Sequence, residues 1–203
     1  SAWLCLLYME REVTEETGDR RQLERLEEEY LELAIQFGKR EELLKVLEKK
    51  NERLRLLDGM GARLLALGNQ PAQAIQHCME TIQLVVGKGD AEVILHTDGG
   101  VARHGRGAAV VESQGGRDEI DHWLAEHRTA LLVNNLTHDV RFTHEFGRVR
   151  KSVSMVAVPL FREGTLNGSL RLSSAVPQAF SHDDLRFTSE AASLLLPVLF
   201  PRT

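Results

Sequence analysis

The sequence predicts an α+β fold in which an antiparallel sheet of about six strands carries helices on one face and follows a long coiled-coil helix. Two observations predict this fold. Residues 19–58 are rich in Glu, Lys, Arg and Leu, with one glycine and no proline, and their leucines recur at helical spacing. From Asp90 onward, short apolar runs alternate with glycine-containing turns, a pattern typical of antiparallel strands.

The composition is that of an ordinary folded protein. The 203 residues are 42% hydrophobic and 27% charged, with a net charge of −5. No concentrated basic segment offsets that charge, so nucleic acid is not an expected partner. Cys5 and Cys78 stand far apart, without metal-binding spacing, which favours a reducing, cytoplasmic compartment.

Residues 1–18 form the first predicted segment. The run Ala2–Tyr8 is apolar but far shorter than the roughly 20 residues that a membrane-spanning helix needs. Two interpretations stay open. The run is either the cytoplasmic end of a membrane helix, which would tether the chain, or a short amphipathic helix that packs on a dimer mate.

Residues 19–68 form the second segment, a predicted coiled-coil signalling helix. Asp19 and Gln22 resemble a capping box, and Gly18 is expected to end any earlier helix. The expected dimer-interface residues are Leu23, Tyr30, Phe37, Leu44 and Asn51 at heptad position a, with Leu26, Leu33, Leu47 and Leu54 at position d. An Asn at position a favours a dimer. The alternative is an antiparallel hairpin within one chain, turning near Gly38 and Lys39.

Residues 69–203 form the third segment, a predicted α+β domain. Its expected helices are Pro71–Val86, Asp118–His127 and a last helix opened by a capping box of Ser181 and Asp184. Its expected strands are Ala91–Thr97, Gly107–Ser113 as the partner of that strand, Thr129–Val133, Val153–Leu160 and Thr165–Ser173. In the last strand Leu166, Gly168, Leu170 and Leu172 are expected to share one face.

Several stretches of this domain are similar to those of one known family. They are the early helix Pro71–Val86, the segment Asn134–Phe142 with its Asp-Val-Arg-Phe, the strand Ser152–Leu160 ending in Val-Pro-Leu, the return Leu166–Leu170, and the helix entry Phe180–Leu185. In this order and spacing they resemble the GAF domain family over roughly residues 56–200. A long helix that dimerises and transmits signals commonly leads into such domains.

The resemblance implies a GAF/PAS-like fold with a ligand cavity on the sheet face away from the helices. The segment between Val133 and Val153 would roof that cavity. The residues that the resemblance places at the ligand are Asn135, Asp139, Phe142, Ser154, Val156 and Arg171. The basic residues between Arg141 and Lys151 either attract an anionic ligand or form a solvated loop, and both interpretations stay open.

The sequence departs from the ligand signatures of known GAF subfamilies. The cyclic-nucleotide signature cannot be placed on it, and the dipeptide His77-Cys78 lies too far upstream to attach a bilin. His138 and His144, with Asp139 and Glu145, are residues of the kinds that bind iron or zinc, but a solvated loop is the preferred interpretation. The cofactor is therefore unknown and no metal is expected.

No hydrolase, nucleotide-binding or metalloprotease motif occurs. Methionine-sulfoxide reductases of this family need several cysteines around the cavity, so the chain is not expected to be an enzyme. The sequence favours a homodimeric sensor that binds a small ligand or an effector protein. The alternative is a structural dimerisation scaffold that binds no ligand.

Overall fold

A computed structural model describes the backbone of residues 2–97, 100–105, 111–113, 116–143 and 152–201. Side chains are described for Gln22 and from Arg25 onward, except at 111–113. The helices of these residues are α1 (Ala2–Leu67), α2 (Pro71–Val86), α3 (Glu119–His127) and α4 (His182–Leu199). The strands are β1 (Asp90–Thr97), β2 (Gly100–Gly105), β3 (Val111–Ser113), β4 (Leu131–Val133), β5 (Ser154–Arg162) and β6 (Thr165–Ser174).

The strands form one sheet in the order β3-β2-β1-β6-β5-β4, and every neighbouring pair is antiparallel. The predicted α+β class and antiparallel sheet are therefore confirmed. The central pairing joins β1 to β6, strands far apart in sequence, with Val93 opposite Leu170. This pairing closes the domain around its middle strands.

Helix α1 is continuous over 66 residues. It runs through Gly18, so the predicted break there and the helix start at Asp19 are wrong. A single glycine costs a helix only about 1 kcal/mol, which helix-forming neighbours offset. The alternative hairpin with a turn near Gly38 and Lys39 is also wrong, because the helix passes through both residues. The chain divides into two compact units, residues 1–52 and 53–203.

In the second unit, one face of the sheet is covered by helices, as predicted. Leu57, Met60 and Leu64 from the last turns of α1 are buried there with the apolar faces of α2 and α4. These helices pack on alternate residues of the strands, including Val93, Val156, Val158, Leu170 and Leu172. Cys78 lies in this core and is fully buried, as its place in the apolar stripe of α2 predicts.

The opposite face of the sheet carries α3 and a second, smaller core. Ile120 and Leu124 of α3 pack there with Met155 and Ala157, which alternate along β5 with the residues of the first core. The chain from Leu131 to Phe142 contributes further buried side chains to it. The sheet is thus enclosed from both sides at its centre.

Two strand predictions need correction. The partner of β1 is β2, with Thr97 opposite Gly100, whereas the predicted partner at 107–113 is represented by β3, on the far side of β2. No strand was predicted over residues 100–105, and residues 107–110 of the predicted partner lie outside the described residues. In β6, a β-bulge opposite Leu160 and Phe161 inserts one residue. Leu166 therefore packs in the second core, away from Leu170 and Leu172.

Candidate functional site

Arg171 lies at the centre of β6 on the α3 side of the sheet and is completely buried. Its guanidinium donates two parallel hydrogen bonds to Asp118, at 2.7 and 3.0 Å, and a third to Asp121 at 2.5 Å. Its Nε donates to Ser169 Oγ at 2.9 Å. A guanidinium has five N–H donors in a planar fork, and these contacts employ that fork on two helix carboxylates.

The two carboxylates belong to the first turn of α3. Asp118 is the N-cap residue, whose Oδ1 accepts the backbone N–H of Asp121 at 3.0 Å. A three-residue spacing puts both acids on one side of the helix start, facing Arg171. Asp118 therefore both caps α3 and fixes its first turn on the sheet.

His96 on β1 completes the cluster. Its Nε2 lies 3.2 Å from Asp121 Oδ2, close enough for an ion pair with a protonated ring, although the N–H bond is not aligned for a hydrogen bond. Its Nδ1 lies 3.3 Å from the Leu166 carbonyl oxygen. Ser169 Oγ donates to Asp121 Oδ1 at 3.0 Å. We call Arg171, Asp118, Asp121, Ser169 and His96 the arginine cluster.

The electrostatics of the arginine cluster favour its charged form. Burial alone would raise the pKa of the Asp121 carboxyl, but the neighbouring His96 and Arg171 hold that pKa well below its usual range. Burial likewise opposes the charge on Arg171, while hydrogen bonding and attraction from Asp118 and Asp121 raise its pKa above the ordinary value. Asp121 and Arg171 are therefore ionised at neutral pH.

At the margin of the arginine cluster lies a more exposed ion pair. Arg103 Nη1 lies 3.5 Å from Glu92 Oε2, and its Nη2 lies 4.0 Å from Asp118 Oδ2. The Arg103 side chain is 32% exposed and that of Glu92 is 25% exposed. Charged groups thus continue from the buried cluster to the surface along β1 and β2.

The segment 134–143 lies against α3 and is held by its own polar contacts. Asn135 Oδ1 accepts from the backbone N–H of Thr137 at 3.1 Å. Arg141 donates two hydrogen bonds to Asp139, from Nε to Oδ1 at 2.8 Å and from Nη2 to Oδ2 at 2.5 Å. Its Nη2 also donates to the Leu132 carbonyl oxygen at 3.2 Å. Hydrogen bonding to Arg141 is the main reason that the pKa of Asp139 is lowered. Phe142 is buried in the second core.

The structure brings together only some of the six predicted ligand residues. Asn135, Asp139 and Phe142 share the segment 134–143, next to α3, and Arg171 is on the same side of the sheet. Ser154 and Val156 instead belong to the alternate set of β5 residues. Val156 is in the helix-covered core, and Ser154 Oγ donates to the Val176 carbonyl at 2.6 Å. Successive residues of a strand face opposite sides of the sheet, and Ser154 and Val156 face the side covered by α2 and α4. Arg171 faces the α3 side, so the three residues do not line one site.

The predicted dimer residues of α1 are exposed to solvent wherever their side chains are described. The described a and d side chains that are apolar are all exposed: Leu26 64%, Tyr30 77%, Leu33 55%, Phe37 58%, Leu44 50%, Leu47 58% and Leu54 63%. Asn51 is exposed as well, and the side chain of Leu23 lies outside the described residues. A row of large apolar side chains in water is a surface that a partner helix would cover.

Arg53 joins α1 to the start of α4. Its Nη2 donates to Asp184 Oδ1 at 2.7 Å, and its guanidinium lies 5.9 Å from the centre of the Phe187 ring. Asp184 also completes the predicted capping box with Ser181, which the structure confirms. Burial opposes ionisation of Asp184, yet hydrogen bonds from Ser181 and Arg53 lower its pKa. Arg53 is thus fixed to the helix entry that the sequence singled out.

Three other features bear on function: a surface groove, metal binding and membrane-spanning helices. The lining of a surface groove of about 960 Å³ includes none of the predicted ligand residues; it consists of Phe161, Arg162, Glu163, Leu196, Pro197, Phe200 and Pro201. Among the described residues no group of His, Cys, Asp and Glu is arranged to hold a metal ion. His144 and Glu145 of the metal hypothesis lie outside them. No helix in the described part of the chain is long and apolar enough to cross a membrane.

The model of the GAF domain matches residues 70–196, well over half of the chain. The chain belongs to the GAF domain family. Comparison with curated protein sequences gives no significant match. The GAF domain occurs in sensor and signalling proteins, and its matched range begins at the residue before α2 and ends within α4.

Solved structures share this GAF fold at low sequence identity. The free methionine-R-sulfoxide reductase of Neisseria meningitidis is 15% identical over 72% of this chain and 87% of its own, with a TM-score of 0.56. The GAF domain of an Acinetobacter phosphoenolpyruvate-protein phosphotransferase is 13% identical over 73% and 93%, with a TM-score of 0.56. The chromophore-binding domain of a bacteriophytochrome from R. palustris is 12% identical over 72% and 60%, with a TM-score of 0.57. Such identities establish the fold alone.

Sequence reasoning missed most of the arginine cluster. Of its members only Arg171 was singled out, and it was expected at a ligand, whereas its guanidinium binds Asp118, Asp121 and Ser169. A usable signal was present in the sequence. An arginine in the middle of an alternating apolar strand needs a buried acid, and two acids three residues apart stand at the start of the candidate helix Asp118–His127, earlier in the chain.

Proposed function

We propose that this chain is a homodimeric signalling sensor, in which the GAF domain binds a small ligand or an effector protein and the dimeric helix α1 responds. The observation that carries the proposal is the long apolar row on α1. Seven described a and d side chains between residues 26 and 54 are at least half exposed, and the same helix then enters the GAF core at Leu57. Because one helix supplies both the dimer surface and part of the domain core, a change in the core can alter the packing of the dimer.

A parallel two-stranded coiled coil accounts for the row. Its side chains repeat with a period of three and four residues, the signature of a left-handed seam. Asn51 at position a favours two strands in register. Covering these side chains removes a large apolar surface from water. Such burial contributes a favourable free energy of about 25 cal/mol per Å² of apolar surface. This gain supports the proposed dimer.

The ligand would bind between the segment 134–143 and the α3 side of the sheet. Asn135, Asp139 and Phe142 are the residues of that segment proposed to contact it. Arg171 is proposed to act there by holding the start of α3, because its guanidinium is fully buried. Ser154 and Val156 support the opposite side of β5, so we propose that they shape the strand and do not touch the ligand.

The response would reach α1 through its last turns. Arg53 binds Asp184 at the start of α4, and α4 packs on the sheet beside α2. A displacement of α4 therefore changes the contacts that hold the domain-side end of α1. Coupling requires that the two states of the domain differ in such contacts.

The alternative function, a structural scaffold, is favoured by one specific observation. The centre of the sheet face beneath α3 is filled by the arginine cluster, whose Arg171 is bound to partners within the chain. A domain that fills this face with its own side chains can dimerise and present a surface without a ligand. The absence of enzymatic activity stays a prediction under both functions.

Two measurements test the proposal. At low micromolar concentration, sedimentation equilibrium of Leu33→Glu/Leu47→Glu should give a monomer, because both substitutions put charge into the seam, whereas the wild type should sediment as a dimer. Leu84→Glu is the matched control, since Leu84 is 72% exposed on α2 and lies outside the seam. Native and denaturing mass spectrometry of the wild type then separate the two functions. A reproducible extra mass in the native dimer supports the ligand sensor, and a bare dimer supports the scaffold.

A further inference from the structure

A second apolar face lies on α1, away from the a and d seam. Leu31, Ile35 and Val46 occupy positions b, f and c of the heptad and are 62%, 53% and 51% exposed. At about 100° per residue, these three side chains and Gly38 fall on one side of the helix, roughly opposite the seam. A parallel dimer through the seam leaves them in water. We call this surface the reverse face.

The reverse face is symmetric in sequence about the point between Gly38 and Lys39. Leu31 and Val46 are equally distant from that point, on either side of it. The acidic Glu28 and the basic Lys49 are equally distant from it as well, and both are exposed. Glu27 and Lys50 repeat this relation. These three pairs are complementary across the point of symmetry, whereas Ile35 is related to the charged Glu42.

We propose that the reverse face binds the reverse face of a second copy of this chain in antiparallel orientation, centred between Gly38 and Lys39. A two-fold contact joins each residue to a different residue of the other copy, so it requires a self-complementary surface. In this arrangement Leu31 meets Val46 of the second copy, and Glu28 meets its Lys49. Each contact occurs twice, over about 22 Å of helix at 1.5 Å per residue.

Gly38 suits the centre of such a contact. Beyond the neighbouring backbone of its own helix, a Cβ atom added there would meet none of the described atoms within 4 Å, so this position is open to an approaching partner. A glycine at a crossing point lets two helix backbones approach closely. In this register Lys39 lies level with Gly38 of the second copy, and Glu42 lies level with its Ile35. The contact uses no a or d side chain, so it stands or falls separately from the seam.

The contact has a definite consequence for assembly. A parallel dimer carries one reverse face on each helix, pointing away from the seam. Two self-complementary faces per dimer join dimers into an open series instead of a closed pair. The mean mass therefore rises with protein concentration beyond that of the dimer. Because the charge pairs are exposed, the rise weakens as salt is added.

Disulfide cross-linking of the full chain tests the orientation. The variants Leu31→Cys and Val46→Cys are made with Cys5→Ser, mixed in equal amounts and oxidised, and the product is identified by mass. The expected product is the mixed disulfide. In the antiparallel contact two copies of position 31 lie about 22 Å apart, beyond the roughly 7 Å that a disulfide allows between Cα atoms. A disulfide between two copies of Leu31→Cys, or no cross-link, would overturn the proposal.

Charge reversal tests the pairing. Glu28→Lys and Lys49→Glu should each weaken the concentration-dependent association about tenfold, because two attractive pairs become repulsive. The double variant Glu28→Lys/Lys49→Glu should restore it. Glu190→Lys, an exposed position on α4, is the control for net charge. The antiparallel pairing is refuted if the double variant associates as weakly as the single ones, or if the wild type does not grow beyond a dimer.

Discussion

Replacing Arg171 by Met should destabilise the GAF domain more than most single substitutions. The new side chain retains the aliphatic bulk, while Asp118 and Asp121 lose the guanidinium that binds them at 2.5–3.0 Å. Asp121 is 1% exposed, so water cannot replace the lost partner. Leaving a buried charge unpaired costs about 3–5 kcal/mol. That is a large share of the roughly 5–15 kcal/mol that holds a domain folded.

The loss should depend on pH. In the wild type the folded-state pKa of Asp121 lies below its ordinary value, so its stabilisation is present above that value and is lost as the pH falls through the folded pKa. Without Arg171, only His96 still opposes the effect of burial, so the pKa of Asp121 rises from its wild-type position and the carboxyl takes up a proton at a higher pH. The difference in unfolding free energy between wild type and variant should therefore be smaller at pH 5 than at pH 7.

Urea unfolding followed by circular dichroism measures both effects. Arg171→Met/Asp121→Asn should be more stable than the sum of the two single losses predicts, because the second substitution removes a charge that the first leaves unpaired. Arg186→Met is the control, since the pair of Arg186 with Asp183 is about 60% exposed and should contribute less than about 0.5 kcal/mol. A loss below about 1 kcal/mol at pH 7 for Arg171→Met would refute the reasoning.

Three further predictions concern the rest of the domain. Arg53→Met should cost about 1–3 kcal/mol and should increase amide hydrogen exchange in residues 53–67, because Asp184 loses a charged donor; unchanged exchange would show that the pair does not hold α1. Gly168→Ala should lower the free energy of unfolding in urea by at least about 2 kcal/mol, because the new Cβ would lie 2.2 Å from a backbone carbonyl oxygen of β1. Ordinary expression with wild-type stability would contradict the observed strand spacing. In the Cys5→Ser variant, iodoacetamide at pH 8 should alkylate Cys78 only after unfolding, because burial raises the pKa of the Cys78 thiol to about 12. Rapid modification of the native chain would show that α2 opens readily.

Much of the fold could be predicted because its signals are local. The capping box of Ser181 and Asp184 depends on residues three apart, and it forms as predicted. The alternation of β6 predicted its two faces over Leu170 and Leu172, and the structure confirms that both lie in the helix-covered core. Heptad spacing in the same way predicted the long helix α1. Each of these signals needs only the chain neighbours of the residue concerned.

The features that were missed depend on contacts between distant residues. Arg171 binds acids about 50 positions earlier in the chain, and no local pattern indicates which acids they are. The bulge that turns Leu166 to the second core arises from the register against β5, which the sequence of β6 alone does not contain. Gly18 was expected to break α1, but one weak helix former does not outweigh its neighbours.

The predicted ligand residues illustrate the same division. Asn135, Asp139 and Phe142 were predicted from one continuous stretch, and the structure keeps them in one segment beside α3. Ser154 and Val156 were predicted from a strand without knowledge of its faces. Alternation along β5 then places them on the other side from Arg171. A ligand role for any of the six is a prediction that binding experiments must test.

Native mass spectrometry of the intact chain, at low micromolar concentration and without added ligand, tests the central claim most directly. The claim is that α1 makes this GAF domain a dimer. The account predicts a species of twice the 22.8 kDa monomer mass, which the variant Leu33→Glu/Leu47→Glu converts to a monomer. A wild-type chain that appears only at 22.8 kDa would contradict the account, because the exposed apolar row on α1 would then have no partner helix.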